Sequence, residues 1–306
     1  MQTGKVMRST GSWYEVRLPD DQILSCRLPG KFRRESKGLT NPVAVGDVVD
    51  VGGEEGEFII RNIHDRDNYL IRRSSRLDKQ FQIVASNLDL AIIMVSMCSP
   101  KTSTGFLDRF LLSCESFDIE AVILINKTDL LLPEDEKQLQ TLKNVYRDMG
   151  YLTISTSLKG AKIPKNVLSV MRGKHVLVFG QSGVGKSTMI NSLLGTDRQR
   201  TSDVSSFHSK GVHTTTFAEC FKWDEDSYVI DTPGVREFGI IDIEAWEVGH
   251  YSRDIAWFSD ACSFNNCLHI HEPGCAVIEA VEKGEIAAFR YRNYVSVLES
   301  EFDVKK

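Results

Sequence analysis

Three absences in this chain of 306 residues each exclude a class of protein. No apolar run approaches the roughly 20 residues that cross a bilayer; among the longest is LDLAIIMVSM, from Leu88 to Met97. The opening stretch, MQTGKVMRSTGSWYEV, lacks an apolar core of signal-peptide length. The expectation is a cytoplasmic protein without a membrane partner. The seven cysteines, an odd number, offer no disulfide framework: Cys26, Cys98, Cys114 and Cys220 are scattered, while Cys262, Cys267 and Cys275 crowd together beside two histidines. That pattern suits reduced thiols and a metal site. Neither an internal repeat nor a low-complexity tract is present.

An excess of positive charge is also missing, since the net charge is −5. It is unevenly spread. Residues 1–80 hold 14 Lys and Arg against 12 Asp and Glu, and the rest hold 23 against 30. The stretch RLPGKFRRESKG, Arg27 to Gly38, has five positive side chains and one negative. Such a local patch on an acidic protein suits an anionic partner.

What is present divides the chain into parts, and its length suffices for two or three domains. Residues 1–66 carry five short β-rich runs separated by Gly, Pro and Asp, as in a small barrel of oligonucleotide-binding (OB) type; an SH3-like barrel would give nearly the same pattern. Residues 67–84 read as a basic linker. From 85 to 240, buried strands alternate with helices, which predicts an α/β domain with a parallel sheet covered on both faces. Residues 241–306 are mainly helical around the Cys/His cluster.

Two motifs in the α/β part carry chemistry. Gly180, Gln181, Ser182, Gly183, Val184, Gly185, Lys186 and Ser187 fit G-x-x-x-x-G-K-[ST] and are followed by Thr188, after an apolar strand and before a helix pattern. The glycines let backbone N–H groups turn toward phosphate oxygens, Lys186 reaches the β- and γ-phosphates, and the Ser187 hydroxyl can ligate Mg²⁺. Asn126-Lys127-Thr128-Asp129 ends another apolar strand. The Asp129 carboxylate can accept both N1–H and the 2-amino group of guanine, a pair that adenine lacks, so the nucleotide should be GTP or GDP and a P-loop ATPase is disfavoured. Asn126 would brace the loop and Lys127 would lie along the base. Ser155 and Thr156 are candidates for a second base-side loop. Asp231-Thr-Pro-Gly234 supplies a further phosphate-side element, with Asp231 toward Mg²⁺ and Gly234 sensing the γ-phosphate. Thr214 or Thr215 can cap Mg²⁺.

The base-reading motif precedes the phosphate-binding one. A fold whose termini lie close together can be re-cut in a surface loop, so this order predicts a circularly permuted P-loop GTPase domain. Ras-like proteins place a water-orienting Gln after D-x-x-G; here Val235 stands there, which predicts slow hydrolysis by the protein alone. His213, in GVHTTT, is the candidate to supply the missing polar group. Cys262, Cys267, Cys275 and one histidine, His269 or His271, can close a tetrahedral structural Zn²⁺ site.

The permuted order together with GFLDRF, NKTDLL, GQSGVGKST, HTTT, DTPGVREF and the Cys/His cluster resembles the small-ribosomal-subunit-dependent GTPases of the RsgA type over essentially the whole chain. The resemblance implies a factor that binds the small (30S) subunit late in its maturation and hydrolyses GTP when stimulated by it. It also supports the OB-type barrel and favours His269 as the fourth zinc ligand, with His271 outside. Contacts to rRNA would then rest on Arg27, Lys31, Arg33, Arg34 and Lys37, the more so because the sequence begins almost at its first strand, without a basic tail. A monomer is expected. Two rival readings remain: a GTP-gated RNA-binding module with incidental turnover, and a GTP-dependent metal-delivery protein, which a closed Cys3His site opposes.

Overall fold

The computed structural model describes residues 1–35, 39–53, 57–73, 81–160, 162–195, 218–232, 243–302 and 304. His213, Thr214, Thr215, Gly234, Val235 and Lys37 lie outside these residues, as do the side chains of Arg33 and Arg34.

Strands β1 (Gln2–Ser9), β2 (Trp13–Arg17), β3 (Ile23–Arg27), β4 (Val48–Gly52) and β5 (Phe58–Ile63) form a barrel of order β1-β2-β3-β5-β4, closed by β4 pairing back onto β1. The β3–β5 step is parallel, and helix α1 (Gly30–Glu35) lies between β3 and β4. That topology is the OB one and displaces the SH3-like alternative. Every second residue points inward, so Val6, Tyr14, Val16, Leu24, Cys26, Val49, Val51 and Ile60 fill the interior.

The stretch expected to be a linker holds more structure than its Arg- and Ser-rich composition suggests. Strands β6 (Tyr69–Arg73) and β7 (Phe81–Ser86) pair as an antiparallel hairpin. Asp47, fully buried, ties it to the barrel: it accepts from Arg66 at 2.7 and 2.8 Å, from Ser86 Oγ at 2.6 Å and from the Ala44 N–H at 2.8 Å. A buried carboxylate is tolerable only with such partners.

The α/β domain follows the predicted alternation. Strand β8 (Leu90–Val95), helix α2 (Thr104–Ser116), strand β9 (Ala121–Ile125), helix α3 (Asp135–Asp148), strand β10 (Leu152–Ser155), helix α4 (Lys165–Met171), strand β11 (His175–Gly180) and helix α5 (Lys186–Leu194) precede a hairpin of β12 (Glu219–Asp224) and β13 (Ser227–Asp231). The sheet order is β10-β9-β8-β11-β13-β12, parallel except for β12. Ala91, Ile93 and Val95 enter one core beneath α2 and α3, and Leu90, Ile92 and Met94 enter the other with Met171, Met189 and Ile190. Burial on both faces explains why these strands read as continuous apolar runs. One register pair, Arg8 opposite Glu219, joins β12 to the barrel's β1.

Helices α6 (Arg253–Ser259), α7 (Ala276–Glu282) and α8 (Ala288–Phe302) complete the C-terminal part. Its docking onto α2 and α3 depends on charge buried where apolar residues would be expected. Arg290 contacts Asp108 of α2 at 2.6 Å and holds Asp254 of α6 with two bonds of 2.9 and 3.0 Å. Asp108 also accepts from the Tyr146 hydroxyl at 2.6 Å and from Asn293 at 2.5 Å. No helix among the described residues is long and apolar enough to cross a membrane.

Removing one member of such a network strands the others in a dry interface. Arg290→Ala should destabilise the docked domain by about 3–5 kcal/mol, lowering the urea midpoint followed through Trp246 and Trp257 fluorescence. An unchanged midpoint would show that apolar packing alone holds the domain.

Candidate functional site

The nucleotide motifs converge at the C-terminal ends of β8, β9, β10, β11 and β13, where an open parallel sheet offers its crevice. β11 runs into the glycine loop, and α5 begins at Lys186. Gly183 and Gly185 have φ of +79° and +114°, a region costly for residues bearing a Cβ. At Gly185 space also forbids a side chain, because a Cβ would lie 2.4 Å from Nδ2 of Asn126. Lys186 extends along the loop, its Nζ donating to the carbonyls of Gly180 at 2.6 Å and Gln181 at 3.0 Å. Burial pushes the Lys186 ammonium down from its ordinary value, opposed by the charge of Asp231. Burial pushes the Asp231 carboxyl up, opposed by Lys186. Both perturbations come first from desolvation, and paired perturbed charges beside a glycine loop mark a candidate site for an anionic ligand with its cation. Ser187 and Thr188 are exposed at the start of α5, and Ser182 is exposed in the loop. The hydroxyl of Thr232, next after Asp231, is buried without a hydrogen-bond partner.

Asn126 follows β9 and is buried, and its amide is bonded through both nitrogen and oxygen. Nδ2 donates to the Val184 carbonyl in the glycine loop at 2.8 Å, and Oδ1 accepts from the Leu158 N–H at 3.1 Å. Lys127 is left-handed, with φ of +64°, and its Nζ reaches the Ser99 carbonyl at 2.6 Å. Thr128 bonds the Thr156 carbonyl through both its N–H and its hydroxyl. Asp129 stays exposed at the crevice and accepts from Ser157 Oγ at 2.6 Å. The second base-side loop thus engages Asp129 through Ser157, two residues beyond Ser155, whereas the Ser155 and Thr156 hydroxyls are buried without partners. Ser157 was not among the residues expected from sequence; its position just past β10, beside NKTD, was the available signal.

The Cys/His cluster forms a second centre. Cys262, Cys267, His269 and Cys275 place their ligand atoms within 4.8 Å of one another, whereas His271 is exposed and outside the group. A tetrahedral zinc with Zn–S near 2.3 Å and Zn–N near 2.0–2.1 Å requires S···S edges of about 3.8 Å and S···N edges of about 3.5 Å. The Cys262–Cys275 sulfurs are 3.8 Å apart, and His269 Nδ1 lies 3.5 and 3.4 Å from them. Backbone N–H groups of His269 and Ile278 donate to the sulfurs of Cys267 and Cys275. The Glu272 carboxylate, held down to about 2, accepts N–H bonds from Leu268, Ile270 and His271 and so shapes the loop that aims His269 inward. Burial pushes the Cys267 thiol up to about 12, and a cation held by these four residues would favour the thiolate. Four protein donors fit a metal and leave no open position for catalysis.

On the barrel, Arg27 and Lys31 are exposed, each with its cation over a ring: Arg27 at 4.4 Å from the Trp13 centroid and Lys31 at 4.8 Å from that of Phe32.

With this geometry in place, the relatives are informative. A family model described as RsgA GTPase matches residues 63–241, and one described as RsgA N-terminal domain matches residues 3–57. The chain belongs to the RsgA GTPase family. It is a GTPase. The small ribosomal subunit biogenesis GTPase RsgA 2 of Bacteroides thetaiotaomicron is 44% identical over 303 residues, covering 99% of this chain and 98% of that protein. The RsgA protein of Christiangramia forsetii is 43% identical, covering 98% and 96%. Among solved structures, YjeQ from Thermotoga maritima superposes with a TM-score of 0.76 at 32% identity, covering 99% of each chain. YloQ, described as a circularly permuted GTPase, gives 0.73 at 31%, covering 100% of this chain and 96% of its own.

Two outcomes test the site. Asp129→Asn exchanges an acceptor for a donor and should lower GTP affinity on the order of 100-fold or more while raising affinity for xanthosine triphosphate; equal binding of GTP and ATP by the native protein would remove Asp129 from the base. The native chain is expected to hold one zinc by elemental analysis, and Cys267→Ser should abolish it and lower the thermal midpoint of the C-terminal domain. Full metal content in that variant would contradict the ligand set.

Proposed function

We propose that this GTPase is a late assembly factor of the small ribosomal subunit, acting in the cytoplasm as a monomer and releasing from the subunit on GTP hydrolysis. The single observation that carries the reading is that the Asn126–Asp129 loop and the glycine loop, joined through Asn126, sit on a domain packed against both an OB-type barrel and a domain with a Cys3His cluster. The relatives named for small-subunit biogenesis align with this chain over nearly its whole length.

In this reading the barrel meets rRNA through Arg27, Lys31, Arg33, Arg34 and Lys37, and such phosphate contacts make binding fall steeply with salt. Asp129 selects guanine, Asn126 and Lys127 hold the base loop, and Ser155 and Thr156 lie behind it. Gly180 through Thr188 wrap the phosphates. Ser187, Asp231 and Thr214 or Thr215 would hold Mg²⁺, which would supply charge neutralisation at the phosphates. Gly234 senses the γ-phosphate. Because Val235 cannot orient water, His213 accepts a hydrogen bond from the attacking water in the subunit-bound state. Zn²⁺ on Cys262, Cys267, His269 and Cys275 is structural.

Val235 also favours a second reading, a GTP-gated RNA-binding module with little catalysis. Hydrolysis measured alone and with isolated small subunits at low salt separates the two. The assembly-factor reading expects stimulation on the order of tenfold or more that His213→Ala removes. GTP-dependent subunit binding without stimulation would leave the binding module.

A further inference from the structure

Tyr14, Val16, Leu24 and Cys26 fill the barrel, so alternation turns Trp13, Glu15 and Arg17 of β2 and Ile23, Ser25 and Arg27 of β3 outward. Trp13 is therefore an indole left 42% exposed on a barrel whose core is already complete. Its backbone is held, since the Trp13 carbonyl accepts from both the Thr10 N–H and the Thr10 hydroxyl. Directly across the strand pair sits Arg27, its guanidinium 4.4 Å from the ring centroid. The one carboxylate on the two strands, Glu15, is paired with Arg8 at 3.7 Å.

We propose that Trp13, with Arg27 packed against it, is a stacking platform for an unpaired RNA base. The inference rests on the reading that the barrel meets RNA, and it narrows the ligand. A duplex buries its base faces in its own stack and presents phosphates and edges, so a ring can gain stacking only from a base in a loop, a bulge or an extruded position. A tryptophan on a rigid strand loses little entropy in that contact, and an adjacent guanidinium can bind the phosphate of the same nucleotide. An arginine alone would read charge without regard to pairing. The pair gives the barrel a preference for unpaired RNA that the basic segment from Arg27 to Gly38 does not supply by itself.

The test uses the full chain with a short single-stranded RNA, a fully paired hairpin of the same base composition, and isolated small subunits. Trp13→Ala should weaken binding to the single strand on the order of tenfold and leave the hairpin affinity and the salt slope unchanged. Trp13→Phe should recover most of the loss, which a purely structural role would not explain. Arg27→Ala should instead reduce the salt slope by about one. If Trp13→Ala binds both RNAs like the native protein, the platform is wrong while the RNA reading stands. An equal loss on both RNAs, or lost subunit binding with RNA binding intact, overturns the platform as well, the latter making Trp13 a protein contact. Failure of the native chain to bind either RNA would sink both readings.

Discussion

One buried amide holds the nucleotide site together. Asn126 is bonded to the glycine loop through Val184 and to the loop after β10 through Leu158, while its backbone continues β9 into Lys127, Thr128 and Asp129. Neither partner can find water in that position, and each polar group left unpaired would cost about 1–3 kcal/mol. The close approach of this amide is why position 185 must be glycine. A clamp made of hydrogen bonds is indifferent to the order in which its segments are synthesised. The chain can therefore run from base loop to phosphate loop and still present them in one crevice.

The same sheet is gripped from two sides. At one edge, β12 meets the barrel through Arg8 and Glu219, and Lys222 pairs with Asp21 of the β2–β3 turn at 3.3 Å. On one face, α2 and α3 carry the C-terminal helices through Arg290 and its carboxylates, supported by Arg253, which pairs with Glu115 at 2.7 Å and lies over the Tyr151 ring. The β12–β13 hairpin thus touches the barrel, and α2 and α3 touch the domain with the Cys/His cluster.

Much of this was legible in the sequence where residue type and spacing are themselves the chemistry. The glycine loop, NKTD and the Cys/His cluster use residues that few other roles require at those intervals, and two-residue alternation revealed the five barrel strands. Legibility stopped where tertiary contacts choose between neighbours. Ser155, Thr156 and Ser157 are equivalent as a string, and only the end of β10 decides which hydroxyl meets Asp129. His269 and His271 differ through the Glu272-capped turn. Asp108, Asp254 and Arg290 look like solvated helix charges until the packing of α2, α6 and α8 buries them. The hairpin β6–β7 was hidden because its Arg-rich composition imitates a linker.

The most direct test of the central clamp is nucleotide affinity of Asn126→Ala, measured for GDP and GTP with a fluorescent analogue. If the amide joins base and phosphate loops, both affinities fall together, on the order of 100-fold. Affinities within twofold of the native protein would show that the two halves hold their positions without it.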